Sequence, residues 1–126
     1  MEKKIINTKN APGPIGPYNQ AVLAGNTLYI SGQIAINPAT DALDISNLSA
    51  ETHQVMQNLK AVLAEAEMDF SHVVKTTIFL SDMSSFSEVN EIYGRYFNGS
   101  FPARETVAVK GLPKNVNVEI SMIAVK

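Results

Sequence analysis

The segment VNVEISMIAV (116–125) constrains the fold of this chain more than any other. Read as a strand, it sends Val116, Val118, Ile120 and Met122 to one side and Glu119, Ser121, Ile123 and Val125 to the other, because successive side chains of a strand point to opposite faces. Neither set is polar enough for water. The strand must therefore be covered twice, and the remaining sequence has to supply the cover.

Two amphipathic helices are available for one side. From Leu48 the hydrophobic period changes, and Val55, Met56, Leu59, Val62, Leu63 and Ala66 form one stripe, with Ser46 or Ser49 as the expected N-cap. His53 falls off that stripe and is expected in water. A second helix is predicted from the capping-box pattern Ser85-x-x-Glu88, with Phe86, Val89, Tyr93, Tyr96 and Phe97 at helical spacing and Asn98-Gly99 as its stop. The other predicted strands are 3–7, the pair 20–24 and 27–34 closed by Gly25-Asn26, then 72–80 and 103–109. Residues 8–17, which hold Pro12, Gly13, Pro14, Gly16 and Pro17, read as an ordered loop, and 37–44 as turns. At 126 residues the chain fits a single domain, 1–126. Layered packing then gives an α+β fold, a single sheet with two helices on one face. The opposite face is left bare, so burial against further copies in a symmetric homo-oligomer is expected.

Composition closes off several function classes. Ten Lys+Arg against twelve Asp+Glu give a net charge of −2, which supplies no general grip on phosphates, so a nucleic-acid partner is not expected. With no cysteine there is no disulfide, thiolate nucleophile or Cys-ligated metal. His53 and His72 lack acidic neighbours at ligand spacing, His72 reads as structural, and neither a metal nor a cofactor is expected. The N-terminal segment has no apolar core of the signal-peptide kind and no later run approaches a membrane span, so a soluble, cytoplasmic protein is expected. Phosphate-loop, dinucleotide, nucleophile-elbow and zinc-helix motifs are missing.

What is left is polar residues inside apolar strands. Arg104 opens the strand 103–109, sharing a face with Thr106 and Ala108 opposite Val107 and Val109, and is either a surface charge or a fork for a carboxylate. If 103–109 and 116–125 pair as an antiparallel hairpin about Gly111-Leu112, Arg104 and Glu119 come opposite one another. Such a pair is either a cross-strand ion pair worth about 0.2–1 kcal/mol or one site, in which the arginine holds an anionic substrate and the glutamate handles a proton or water.

The segments APGPIGPY (11–18), ISGQI (30–34), VKTTIF (74–79), FPAR (101–104) and LPKNVNVEISMIAV (112–125) resemble the RidA branch of the Rid family, the reactive intermediate imine deaminases, essentially end to end. The resemblance implies a chorismate-mutase-like fold, a homotrimer with active sites in the clefts between subunits, and hydrolysis of 2-imino acids such as 2-iminobutanoate and 2-iminopropanoate to 2-oxo acids and ammonia. It implies that Arg104 binds the substrate carboxylate, that Glu119 positions water, and that Tyr18, Ser31, Gly32, Asn90 and Thr106 line the pocket. Three positions depart from the family pattern: Thr106 stands where cysteine is common, Glu105 where a small or apolar residue is usual, and Glu67 where a helix ends on glycine. By alternation Glu105 should point away from the pocket, and a left-handed Glu67 would cost roughly 1 kcal/mol. Two other readings stay open: a non-catalytic trimer that binds small 2-oxo acids, and an endoribonuclease or translation inhibitor.

Overall fold

In the computed structural model, which describes residues 2–126, the chain runs β1 (Lys3–Ile6), β2 (Ala21–Ala24), β3 (Thr27–Gln33), β4 (Ile36–Asn37), β5 (Ala42–Leu43), α1 (Leu48–Glu65), β6 (Val73–Leu80), α2 (Phe86–Gly94), β7 (Ala103–Ala108) and β8 (Val118–Val125). Short 3-10 turns occupy Phe70–His72, Met83–Ser85 and Pro113–Asn115. Six strands form one mixed sheet in the order β1-β2-β3-β8-β6-β7, while β4 and β5 make a separate two-stranded ribbon in the segment expected to hold only turns.

The strand that is apolar on both sides is central, between β3 and β6. Its alternation is strict: Val118, Ile120, Met122 and Ala124 are buried, and Glu119, Ser121, Ile123 and Val125 are half-buried. The buried set meets Val55, Met56, Leu59, Val62 and Leu63 of α1 and Val89 and Tyr93 of α2, together with Leu28, Ile30, Ile78 and Leu80 from the flanking strands. Both helices thus pack on one face, and each enclosed aliphatic side chain contributes roughly 1.5–3 kcal/mol. The other face carries apolar groups without cover, among them Tyr29 at 50% exposure and Val107 at 40%.

The expected hairpin between 103–109 and 116–125 does not form. β7 pairs with β6, in parallel, and β8 pairs with β6 from the other side, antiparallel. The reason lies in α2, because a strand followed by a helix that packs back on the sheet delivers the next strand parallel to the first. β6 therefore separates the two strands that carry Arg104 and Glu119.

Local signals also differ in places. The N-cap of α1 is Asn47, whose side chain accepts the Ala50 N–H at 2.8 Å, not either serine. No Ser85 cap forms, and Asp82 instead caps the turn before α2 by accepting from Ser84 N–H at 2.8 Å. The helix ends at Gly94, yet Tyr96 and Phe97 still pack on the core. His53 is not left to water: its Nδ1 lies 2.7 Å from the Tyr96 hydroxyl. His72 does serve a turn, its Nδ1 accepting from Asp69 N–H at 3.0 Å. α1 closes with Glu67 at φ 59°, where Met68 N–H donates to Leu63 O and Glu67 N–H to Ala64 O, both at 2.9 Å. Among the described residues no helix is long and apolar enough to cross a membrane.

Candidate active site

Glu119 lies on the uncovered side of β8, at the floor of a cleft of about 390 Å³ lined also by Pro12, Ile15, Tyr18, Ser31 and Gly32. Gly32 is there for closeness. A Cβ at this position would overlap the Glu119 carboxylate, with Cδ only 2.8 Å away. Among the described residues no group of the chain donates a hydrogen bond to that carboxylate, and burial raises its pKa above the ordinary carboxylate value. A desolvated acid with free lone pairs can hold a water, accept its proton and give a proton back.

The cleft's rim is the proline- and glycine-rich loop, and its shape is set by Gln20. That side chain is buried and ties the loop in three places, its Nε2 donating to Thr8 O, Ala11 O and Pro12 O at 3.0, 3.2 and 2.8 Å. Sequence reasoning missed Gln20, which stands directly before β2 and whose partners are mostly backbone groups of the loop. Ser31 fastens the same wall, its hydroxyl donating to Asn19 O at 2.7 Å and its N–H to Gln20 O at 2.9 Å. The Tyr18 hydroxyl accepts from Ile15 N–H at 3.3 Å, so its own proton is available to a ligand.

Arg104 occupies a different place. It is opposite Thr76 on β6, whereas Glu119 is opposite Phe79, three residues along and on the other face of the sheet. Two strand spacings and three residues put the Cα atoms on the order of 14 Å apart. The two residues therefore do not meet within one chain, contrary to the hairpin register. The Arg104 guanidinium lies 5.2 Å from the Tyr93 ring centre and 5.7 Å from that of Phe86, contacts that fix its direction. Among the described residues it has no carboxylate partner. It faces a recess of about 430 Å³ lined by Asn90, Tyr93, Gly94, Phe101 and Pro102. Tyr93 is held in turn by Thr76, the two hydroxyls 2.8 Å apart; burial raises the phenol, opposed by that hydrogen bond and by the Arg104 charge.

Thr106 shares the Arg104 face, and its Oγ1 is the one buried side-chain polar atom among the described residues without a partner. Glu105 points to the opposite face, as alternation requires, where it pairs with Lys75 at 3.0 Å and accepts from the Thr77 hydroxyl. The structure thus gathers Tyr18, Ser31, Gly32 and Glu119 at one cleft and Arg104 with Asn90 at another. Among the described residues, a half-buried carboxyl without a hydrogen-bond donor and a guanidinium without a carboxylate partner are held in separate places.

Residues 8–126 match the family described as Endoribonuclease L-PSP. The chain is 52% identical over 127 residues to Protein DfrA of Myxococcus xanthus, spanning 99% of this chain and 97% of that one. It is 44% identical over 124 residues to the 2-iminobutanoate/2-iminopropanoate deaminase of Homo sapiens, spanning 98% and 90%. The fold superposes with a TM-score of 0.96 on the crystal structure of YyfA from Yersinia pestis, a protein of unknown function of the conserved Rid family, at 48% identity over 99% of this chain and 100% of the other. With the same α+β architecture and near-complete overlap in each comparison, the chain belongs to the Rid family, the family also described as Endoribonuclease L-PSP.

Proposed function

We propose that this protein hydrolyses small 2-imino acids to 2-oxo acids and ammonia, at sites completed when the Arg104 half of one protomer meets the Glu119 half of another in a homotrimer. The observation that carries the reading is Arg104: a guanidinium braced by two aromatic rings, without an ion-pair partner, facing an open recess. A planar fork of this kind holds a carboxylate through two parallel hydrogen bonds. The human relative named above carries the matching activity in its name. The trimer follows the family resemblance, and the exposure of Tyr29 and Val107 on the uncovered sheet face supports association there.

The chemistry balances without a covalent intermediate. Arg104 takes the substrate carboxylate and so fixes the adjacent C=N carbon. Water held by Glu119 adds its oxygen to that carbon as the C=N π pair moves onto the protonated nitrogen, and it passes a proton to the Glu119 carboxylate. The resulting carbinolamine takes that proton on nitrogen, the C–N bond breaks with its electron pair leaving on ammonia, and the C=O bond forms as the hydroxyl proton passes to the Glu119 carboxylate, which releases it to ammonia or solvent. An iminium is already electrophilic, so positioning supplies much of the acceleration. Phosphodiester cleavage is less well served. Among the described residues the Glu119 cleft has no Lys or Arg in its own lining, Arg104 is the single cation the completed site would gain, and the chain carries a net negative charge.

The test is complementation. Arg104→Lys and Glu119→Gln, each inactive alone toward 2-iminopropanoate generated in place, are co-expressed. If each site takes its arginine from one chain and its glutamate from the next, randomly mixed assemblies regain about a quarter of wild-type turnover. No recovery from mixed assemblies would reject the divided site.

A further inference from the structure

Helix α1 has a buried polar edge that core packing does not require. Glu51, in its first turn, is completely enclosed. Its Oε2 accepts from the backbone N–H groups of Asn117 at 2.7 Å and Val118 at 3.1 Å, and its Oε1 from Asn117 Nδ2 at 2.8 Å. All three donors belong to the two residues directly before Glu119. The β3–β8 ladder ends at Gln33 opposite Ile120, so on that side β8 has no strand beside it at Asn117 and Val118, although β6 still pairs with it on the other side at Leu80, and the Glu51 side chain supplies acceptors that β3 does not. Two helical turns on, Asn58 does the same for the opposite wall. Its Nδ2 donates to Ile34 O at 3.1 Å and Ile36 O at 2.9 Å, and both isoleucines line the Glu119 cleft.

We propose that Glu51 is a positioning residue for the hydrolysis: by gripping the Asn117–Val118 backbone from inside, it holds Glu119 over Gly32, where the attacking water must be fixed. The inference rests on the role given to Glu119 above. An apolar side chain here would leave the Asn117 and Val118 N–H groups without acceptors, and because those groups belong to the two residues directly before Glu119, the bonds that satisfy them also fix where the Glu119 side chain starts. Glutamine is a matched replacement. Its single oxygen can take both backbone N–H groups, and its amide can meet Asn117 once that side chain turns to offer Oδ1.

The experiment compares Glu51→Ala, Glu51→Gln and Glu119→Gln in the intact assembly, with 2-iminopropanoate generated in place as substrate and 2-oxobutanoate as a ligand that needs Arg104 but no water. We expect Glu51→Ala to lower kcat by at least about tenfold while KM and 2-oxobutanoate affinity stay within about threefold. The acid limb of its kcat profile should move to lower pH, because a Glu119 released from Gly32 turns to water; among the described residues Tyr18 is the only other titratable group lining that cleft. Glu51→Gln should restore kcat to within about threefold of wild type. The proposal is overturned if folded Glu51→Ala keeps wild-type kcat and acid limb while Glu119→Gln loses turnover, or if glutamine fails to rescue. Unimpaired Glu119→Gln would instead reject the hydrolytic reading itself. Should the alanine variant not fold, Glu51→Asp decides: its shorter reach should lower kcat at constant KM, and unchanged kcat overturns the assignment.

Discussion

Replacing Gly32 with alanine probes the cleft at its tightest contact. The added Cβ would lie 2.8 Å from Cδ and 3.0 Å from Cγ of Glu119, whereas ordinary contacts begin at 3.4 Å. Cδ must retreat by about 0.6 Å and Cγ by about 0.4 Å, and rotation about the side-chain bonds amplifies this to about 1 Å at the carboxylate oxygens. A misplacement of about 1 Å costs on the order of 10²-fold in rate, or about 2.7 kcal/mol of transition-state stabilisation. Stability should scarcely move. Glycine to alanine in a strand is favourable by about 0.5–1 kcal/mol, which offsets an off-rotamer glutamate at about 0.5–1.5 kcal/mol. The assay is steady-state loss of 2-iminopropanoate generated in place, with thermal unfolding on the same preparation. Turnover within twofold of wild type, about 0.4 kcal/mol, would refute the reasoning. A double-mutant cycle sharpens it: if the alanine acts through Glu119, adding it to Glu119→Gln costs little more, whereas a full additional loss of about 10²-fold would mean that it blocks substrate directly.

Arg104→Lys keeps the charge but loses the fork, and should weaken binding of 2-oxobutanoate in calorimetric titration by one to two decades, matching about 1.5–3 kcal/mol for a charge-assisted bond; unchanged affinity would remove Arg104 from the site. Because burial raises Glu119, the acid limb of kcat should lie above the ordinary carboxylate value of 4.5 and flatten in Glu119→Gln. Glu105 has the opposite sign: the Thr77 hydrogen bond, then Lys75, lowers its pKa, so its contribution to stability is full above 4.5 and lost as pH falls through the lowered value. The heat-stability gap between wild type and Glu105→Gln should accordingly be open at neutral pH and close under acid. Asn47→Ala removes the α1 cap and should cost about 0.5–2 kcal/mol in denaturant unfolding, while Glu67→Gly relieves a left-handed residue and should gain up to about 1 kcal/mol.

Much of this architecture was legible because it is local. The α1 stripe, the Gly25-Asn26 hairpin and the alternation of β8 each depend on residues within one element, and each face assignment inside a strand held. The pairing of strands is not local. Whether Arg104 and Glu119 share a face depends on which strand lies between theirs, and the spacing that favoured a hairpin says nothing of β6. The helix between 72–80 and 103–109 was the available signal, since a strand, helix and strand in succession is how a parallel pair is made. Buried polar residues such as Gln20 and Glu51 were hidden for another reason: their partners are backbone groups, which leave no trace in side-chain pattern.

β7 carries Arg104 at the margin of the sheet. It pairs with β6 alone and buries none of its six residues. Its outer row of N–H and C=O groups is open to any passing strand, with no bulge or added proline along its length to deter one. A newly made chain is therefore adhesive along this margin until something covers it. Variants that block association should accumulate as insoluble material while the β3-β8-β6 core still folds, so that failed assembly is seen first as lost solubility and only afterwards as lost activity.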